Sequence, residues 1–384
     1  MNDDLSIGII TDWLVTYAGS EKVVAEFINV LPQAELYAVI DYLSHDDRKN
    51  FHGKKAKTSF VQHLPFAKQK YQSYLPIMPF AVEQLDVSSH DIILSSSHAV
   101  AKGILTGPDQ LHISYIHSPI RYAWDLQHQY LHQAGLERGI KSLLARIILY
   151  KMRLWDIRTS NGVDYFIANS NFIARRIKKV YGRNSDVIYP PVDVNRFTLE
   201  TMKEDFYLTA SRLVPYKKID IIVEAFSSMP DKKLIVIGDG TDMEKIKKKA
   251  GRNIEILGYQ SNEVLEKYMK KAKAFVFAAE EDFGITAVEA QACGTPIIAF
   301  GKGGALETVR PFGVSRPTGF FFEKQNAKSI IDAVNNFEFY ADTIDPKDCR
   351  HNALKFSVER FNFEIKKYVN EKWQSFNESK RVKY

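Results

Sequence analysis

The chain has 384 residues, roughly two to three times a typical domain; with 45% hydrophobic and 26% charged residues it is expected to form two globular domains, which excludes a disordered chain. Its 52 basic and 46 acidic residues leave a net charge of +6, too mild for a nucleic-acid field but suited to anionic small ligands or an anionic membrane surface. The two cysteines, Cys293 and Cys349, lie in no Cys-x-x-Cys or Cys/His array, and no run approaches the ~18 to 20 apolar residues of a spanning helix, so structural zinc, a disulfide framework and a membrane span are all excluded.

The opening Met1-Asn2-Asp3-Asp4 is acidic and runs straight into apolar residues, the wrong pattern for a signal or transit peptide, so a cytoplasmic protein is expected. Ser6 to Thr11 reads as a buried strand, and Glu21 to Leu31 carries helical periodicity after a loop holding Gly19 and Ser20. Apolar runs at Leu36 to Ile40, Asp91 to Ser95 and His112 to Ile116 read as further strands, the last two stopping in polar Ser/His loops. From Gly139 to Arg158, five cations (Lys141, Arg146, Lys151, Arg153 and Arg158) interleave with Leu143, Leu144, Ile147, Ile148, Leu154 and Trp155. An apolar helical face normally meets a core; the alternative is a helix lying on anionic lipid.

Val187 to Glu200, headed by Tyr189-Pro190-Pro191, cannot continue a helix or a central strand, because two prolines remove two donors and fix two φ angles. The expected organisation is a first domain at 1–190, a linker at 191–204, a second domain at 205–357 and a helix at 358–384 packing back on the first domain. Within the second domain, strands at 206–211, 233–238, 253–257, 275–279 and 296–300 alternate with helices at 219–229, 243–250, 262–272 and 286–292. That alternation predicts an α/β fold with parallel sheets covered on both faces.

The most specific stretch is Glu281-Asp282-Phe283-Gly284-Ile285-Thr286-Ala287-Val288-Glu289. Its first glutamate follows a strand, and its second falls in the first turns of a helix, at the carboxyl edge where parallel sheets bind ligands. Backbone N–H groups of Gly284, Ile285 and Thr286 are placed to meet an anion. A carboxylate can accept from two neighbouring hydroxyls of a sugar or ribose, and eight residues along a helix span ~12 Å, comparable with the two sugars of a nucleotide sugar.

This stretch resembles the Glu-x7-Glu signature of family-4 retaining glycosyltransferases, and the likeness extends over nearly the whole chain. The resemblance implies two Rossmann-like domains facing across a cleft, the GT-B architecture. It also implies that Glu281 contacts the transferred sugar and Glu289 the donor ribose. The strand-end loop Ser211-Arg212-Leu213-Val214-Pro215-Tyr216-Lys217-Lys218 resembles the family's basic loop, so Arg212 and Lys217 are carried over as the cations on the donor diphosphate; Lys218 reads as a solvated charge. Tyr17-Ala18-Gly19-Ser20-Glu21 resembles the family's first glycine loop, with Gly19 near phosphate, although Ala18 stands where many members carry a second glycine. In Tyr115-Ile116-His117-Ser118-Pro119-Ile120-Arg121-Tyr122-Ala123-Trp124-Asp125, His117 matches the histidine beside the reacting sugar. Arg121, Tyr122 and Trp124 are acceptor-side candidates. Ile167 to Ala174 is also family-like and reads as a fold element.

Other motifs fall short. His128 and His132 flank no glutamate that could act as a metalloprotease base, Gly238-Asp239-Gly240 is followed by Met243 where a dinucleotide fingerprint needs glycine, and no Asp-x-Asp pair is present. The expectation is therefore transfer without a metal or a bound cofactor, the sugar nucleotide being a co-substrate. Among family-4 groups, the 116–125 string and the 212–217 loop are most similar to bacterial mannosyltransferases of surface-polysaccharide assembly. That implies GDP-mannose as donor and a lipid-linked saccharide acceptor at the inner face of the cytoplasmic membrane, with peripheral contact to anionic lipid and no nucleic-acid partner. A UDP-sugar donor, a sugar-nucleotide 2-epimerase on the same fold and a silent nucleotide-binding subunit stay open.

Overall fold

A computed structural model of the protein describes residues 5–381; the acidic opening and residues 382–384 of the expected closing helix lie outside them. The chain divides into two units, one running to Tyr189 and taking up the closing stretch from Phe361, the other spanning Pro190–Arg360.

The first unit holds seven parallel strands, β1 (Ile7–Thr11), β2 (Glu35–Ala38), β3 (Lys57–Thr58), β4 (Ile92–Ser97), β5 (Leu111–Ile116), β6 (Tyr165–Ala168) and β7 (Asp186–Val187). Their order in the sheet is β3-β2-β1-β4-β5-β6-β7. Every residue of β1, β4 and β5 is buried, as a parallel sheet covered on both faces requires, and the two-residue strands β3 and β7 form short edges. Helix Gly19–Val30 covers one face through Val23, Val24, Phe27 and Ile28. The closing helix Val358–Arg381 joins the same core, where Phe361 stacks on Phe27 at 6.0 Å and Ile365 and Val369 are fully buried.

The second unit holds six parallel strands, β8 (Glu204–Ala210), β9 (Leu234–Ile237), β10 (Ile254–Gly258), β11 (Ala272–Phe277), β12 (Ile297–Phe300) and β13 (Gly319–Phe322), ordered β10-β9-β8-β11-β12-β13. The fold class is thus the one the alternation predicts: two α/β units, each built on a parallel sheet. Between 301 and 357, where the sequence pattern alone marks no elements, the structure adds β13 and helices Ala327–Tyr340 and Pro346–Leu354.

The stretch read as a linker is bound into the second unit. Val192 N–H donates to the Phe356 carbonyl at 2.9 Å, and the Arg350 guanidinium donates to the carbonyls of Val194 and Phe197, each at 2.7 Å. No helix among the described residues is long and apolar enough to cross a membrane.

Candidate functional site

Strand order fixes where chemistry can sit. In each sheet the chain winds outward in one direction, then returns to the other side of the first strand, so that β1 lies beside β4 and β8 beside β11. The loops leaving adjacent strands diverge there, which opens a crevice at the carboxyl edge.

In the second unit, the loops after β8 and β11 carry the two most specific motifs. Lys217, in the turn Pro215–Lys217, forms an ion pair with Glu281, each side chain about one-sixth exposed. On the same turn, the Tyr216 hydroxyl accepts from the Arg212 guanidinium at 3.0 Å, and the Lys217 ammonium lies 5.3 Å from the Tyr216 ring centre. Tyr216 therefore spaces the two cations and holds them against mutual repulsion. Sequence reasoning passed it over, because a tyrosine between cations carries no signal until its ring and hydroxyl are placed.

Glycines from the two flanking strands lock these loops. A side chain at Gly238, after β9, would place Cβ 1.8 Å from the Ser211 carbonyl, and one at Gly303, after β12, would place it 2.4 Å from the Glu281 carbonyl; both residues have positive φ. Gly304 N–H donates to that same Glu281 carbonyl at 2.8 Å. Gly238, which fails as a dinucleotide motif, thus serves close backbone packing beneath Arg212.

Gly284, at φ 90°, turns the chain into helix Ile285–Ala292 without a capping side chain, so Ile285 and Thr286 form its first turn and Glu289 follows one turn later, half-buried. The Glu281-to-Glu289 spacing is a loop plus one helical turn. The ~12 Å expected for eight helical residues does not apply, because Glu281 to Phe283 lie outside the helix.

In the first unit, the loop after β4 is pinned by a residue that the sequence analysis did not single out. Asp12, fully buried after β1, accepts from the backbone N–H groups of His98, Ala99, Val100 and Ala101 at 2.5 to 3.1 Å, and its carboxylate lies 3.0 Å from His98 Nδ1. Burial alone would raise the Asp12 pKa, but the His98 charge and these hydrogen bonds overturn that and hold it at about 2. His98 is raised: burial works against its charge, and Asp12 and Glu21 outweigh it.

His117, after β5, accepts from or donates to the Ser96 hydroxyl through Nε2 at 2.8 Å, and its ring lies 6.2 Å from that of His98. Burial, reinforced by the neighbouring His98, pushes His117 down to about 3, so it is a neutral imidazole beside one whose pKa is raised. A neutral ring held by a serine suits hydrogen bonding to a sugar hydroxyl.

The remaining candidates divide. Gly19 opens helix Gly19–Val30, but the Ala18 N–H at that turn donates to the buried Glu21 carboxyl at 3.2 Å, which places an acid where the resemblance implies a phosphate. Arg121 and Tyr122 are half-buried on the loop after His117. The Trp124 indole N–H donates to buried Asp156 at 2.7 Å, which makes this side chain part of the packed interior. Among the described residues, no group of three or more His, Cys, Asp or Glu could hold a metal ion.

These shifts set a pH signature. Asp12, at about 2 against about 3.9 unfolded, gives stability that is full above that unfolded value and lost as pH falls toward 2. His117, at about 3 against about 6.5 unfolded, likewise stabilises above about 6.5 and loses that contribution on acidification. His98 acts oppositely: its contribution is full below about 6.5 and is lost as pH rises through its elevated folded value. Imidazole NMR should therefore show the His117 ring flat from pH 8 down to about 4, while His98 titrates above its ordinary midpoint. A normal midpoint for His117 would contradict this arrangement.

Comparison with known proteins places the chain. The family model described as Glycosyltransferase Family 4 matches residues 17–196, and the one described as Glycosyl transferases group 1 matches residues 193–356. An uncharacterized glycosyltransferase of Methanocaldococcus jannaschii is 30% identical over 214 residues, 53% of this chain and 55% of its own. A GDP-mannose-dependent monoacylated alpha-(1-6)-phosphatidylinositol monomannoside mannosyltransferase of Corynebacterium glutamicum is 31% identical over 181 residues, 39% of this chain and 47% of its own. The chain spans about half the length of the curated relatives it matches.

Among solved structures, sucrose-phosphate synthase of Thermosynechococcus elongatus matches with a TM-score of 0.72 at 16% identity, over 97% of this chain and 100% of that one. HepE of Anabaena, in complex with UDP, matches with a TM-score of 0.68 at 17% identity, over 96% and 100%. These likenesses show the fold, and the two family models together take in nearly all of the sequence. Each half of the chain thus matches a glycosyltransferase family model, and the chain has the GT-B fold.

Proposed function

We propose that the protein is a retaining hexosyltransferase that moves mannose from GDP-mannose onto a lipid-linked saccharide in bacterial surface-polysaccharide assembly. The observation that carries the transferase reading is the Lys217–Glu281 pair beside Arg212 at the β8/β11 crossing: two cations and a carboxylate converge on one carboxyl edge. In this reading the second unit holds the donor. Arg212 and Lys217 neutralise the diphosphate as it leaves, which serves the purpose of a metal ion without one. Glu281 holds a hydroxyl of the transferred sugar, and Glu289 accepts from the ribose.

Retention through a covalent intermediate needs a second carboxyl about 5 Å from the acid, and the motifs supply no such nucleophile. The proposed course is attack by the acceptor hydroxyl on the face the diphosphate leaves, with a diphosphate oxygen taking the acceptor proton. Within the first unit, His117, neutral at physiological pH, is suited to hydrogen-bonding a sugar hydroxyl.

The donor choice draws on the 116–125 and 212–217 strings and on the mannosyltransferase of Corynebacterium glutamicum, named as GDP-mannose-dependent. A UDP-sugar is the second reading, favoured by HepE, whose structures hold UDP and UDP-glucose.

The test is product analysis with GDP-mannose and a lipid-linked saccharide acceptor. One added hexose with the donor's anomeric configuration, and release of GDP, supports the proposal. A changed sugar nucleotide formed without acceptor would make the protein an epimerase, and bound nucleotide without turnover a silent subunit. Glu289→Ala should weaken GDP binding by about ten- to a hundredfold, the loss of hydrogen bonds to a charged group. Calorimetry checks this, and unchanged affinity would remove Glu289 from the site.

A further inference from the structure

Helix Ile140–Thr159 is fixed on its inner side and bare on its outer one. Its Asp156 is fully buried against the Lys102 ammonium at 2.9 Å and takes hydrogen bonds from Trp124 and Tyr181, while Met152 enters the core. The opposite side exposes Ile140, Leu143, Leu144, Ile147, Leu154 and Ile157, each between 43% and 79% accessible. With Tyr150, 55% accessible, between Ile147 and Leu154, they follow the three- and four-residue spacing of one helical face and form a continuous stripe along the helix. Helix Met78–Glu83, tied to this helix by the Glu83 carboxylate accepting from Trp155 at 2.8 Å, also exposes Phe80.

Charge identifies the occupant. The helix carries five cations, and its single acid, Asp156, is buried and paired. Lys141 and Lys151 are exposed on it. A second copy of this chain would bring like charges together across the stripe, and protein interfaces deplete charge at their centres. An anionic bilayer surface takes both features: apolar side chains enter the acyl boundary while lysine stems snorkel to the phosphates.

We propose that helix Ile140–Thr159 lies in the interface of an anionic membrane, its apolar stripe inserted and Lys141 and Lys151 on the headgroups. The inference depends on no assignment of donor or acceptor, because vesicle binding is measured without either.

The experiment is flotation of the full chain with vesicles of phosphatidylcholine, with and without phosphatidylglycerol. The protein should float with the anionic vesicles only, and less at high salt. Leu143→Glu with Ile147→Glu, and separately Lys141→Glu with Lys151→Glu, should each weaken binding about tenfold or more while the tryptophan emission stays native. Since all four sites are exposed, both variants should fold. Failure of the wild-type protein to float, or flotation of the Leu143/Ile147 variant at the wild-type level, overturns the proposal. So does a wild-type dimer that this variant splits without any vesicle binding.

Discussion

Glu281→Ala should lower kcat by about a hundredfold to a thousandfold while GDP binds at least as tightly as to the wild type. Before donor arrives, Glu281 and Lys217 neutralise each other. Removing the carboxylate frees the ammonium for the diphosphate, so nucleotide affinity holds or rises even as the sugar loses its acceptor of hydrogen bonds. Lys217→Ala should do the reverse to binding, because one of the two cations is gone and Glu281 is left to repel the phosphates. The opposed signs separate this account from simple damage to the loop. Glu281→Gln, which keeps shape and loses charge, should fall between wild type and alanine in rate. Full activity in Glu281→Ala would remove this residue from the chemistry.

The largest effect on stability is expected at Asp156. Its carboxylate meets Lys102, Trp124 and Tyr181 in the interior, and the Lys102 ammonium also donates to the Asp156 carbonyl and the Thr159 hydroxyl, each at 2.7 Å. Burial already lowers the Lys102 pKa, with Asp156 opposing it. Asp156→Ala strands that cation and should cost about 3 to 5 kcal/mol. The double variant Lys102→Met with Asp156→Leu should recover part of the loss, because an apolar pair needs no partner charge while Trp124 and Tyr181 still lose their acceptor. Urea unfolding followed by tryptophan fluorescence reads this directly: Trp13, Trp124, Trp155 and Trp373 all lie in the first unit. A loss under about 1 kcal/mol for Asp156→Ala would show that water reaches the pair.

The strands were legible where buried residues form unbroken runs between glycines or polar loops, as at β1, β5 and β9. The four-residue strand β13 was not, because Phe320 to Phe322 after a loop rich in glycine and proline satisfies strand and helix patterns equally. Helix Gly19–Val30 starts two residues before the periodicity shows, since its N-cap is Ala18 and its capping contact comes from Glu21. The motifs around Glu281 and Arg212 stood out individually. Their meeting did not, because it depends on β11 lying beside β8 across an intervening β9 and β10. Asp12 and His98 were hidden for the same reason: an aspartate after one strand and a histidine after another acquire meaning only when β1 neighbours β4. The apolar stripe of helix Ile140–Thr159 was visible as composition, but whether it faced a core or the outside was a question of packing.

The central claim is that the β8/β11 edge of the second unit binds the diphosphate of a sugar nucleotide through Arg212 and Lys217. Calorimetric titration of the purified protein with GDP, UDP and ADP, with and without EDTA, tests it most directly. The account predicts that GDP binds, more tightly than UDP or ADP and equally in EDTA. Preference for UDP would keep the enzyme class and move the donor to a UDP-sugar, whereas failure of all three nucleotides to bind would contradict the claim.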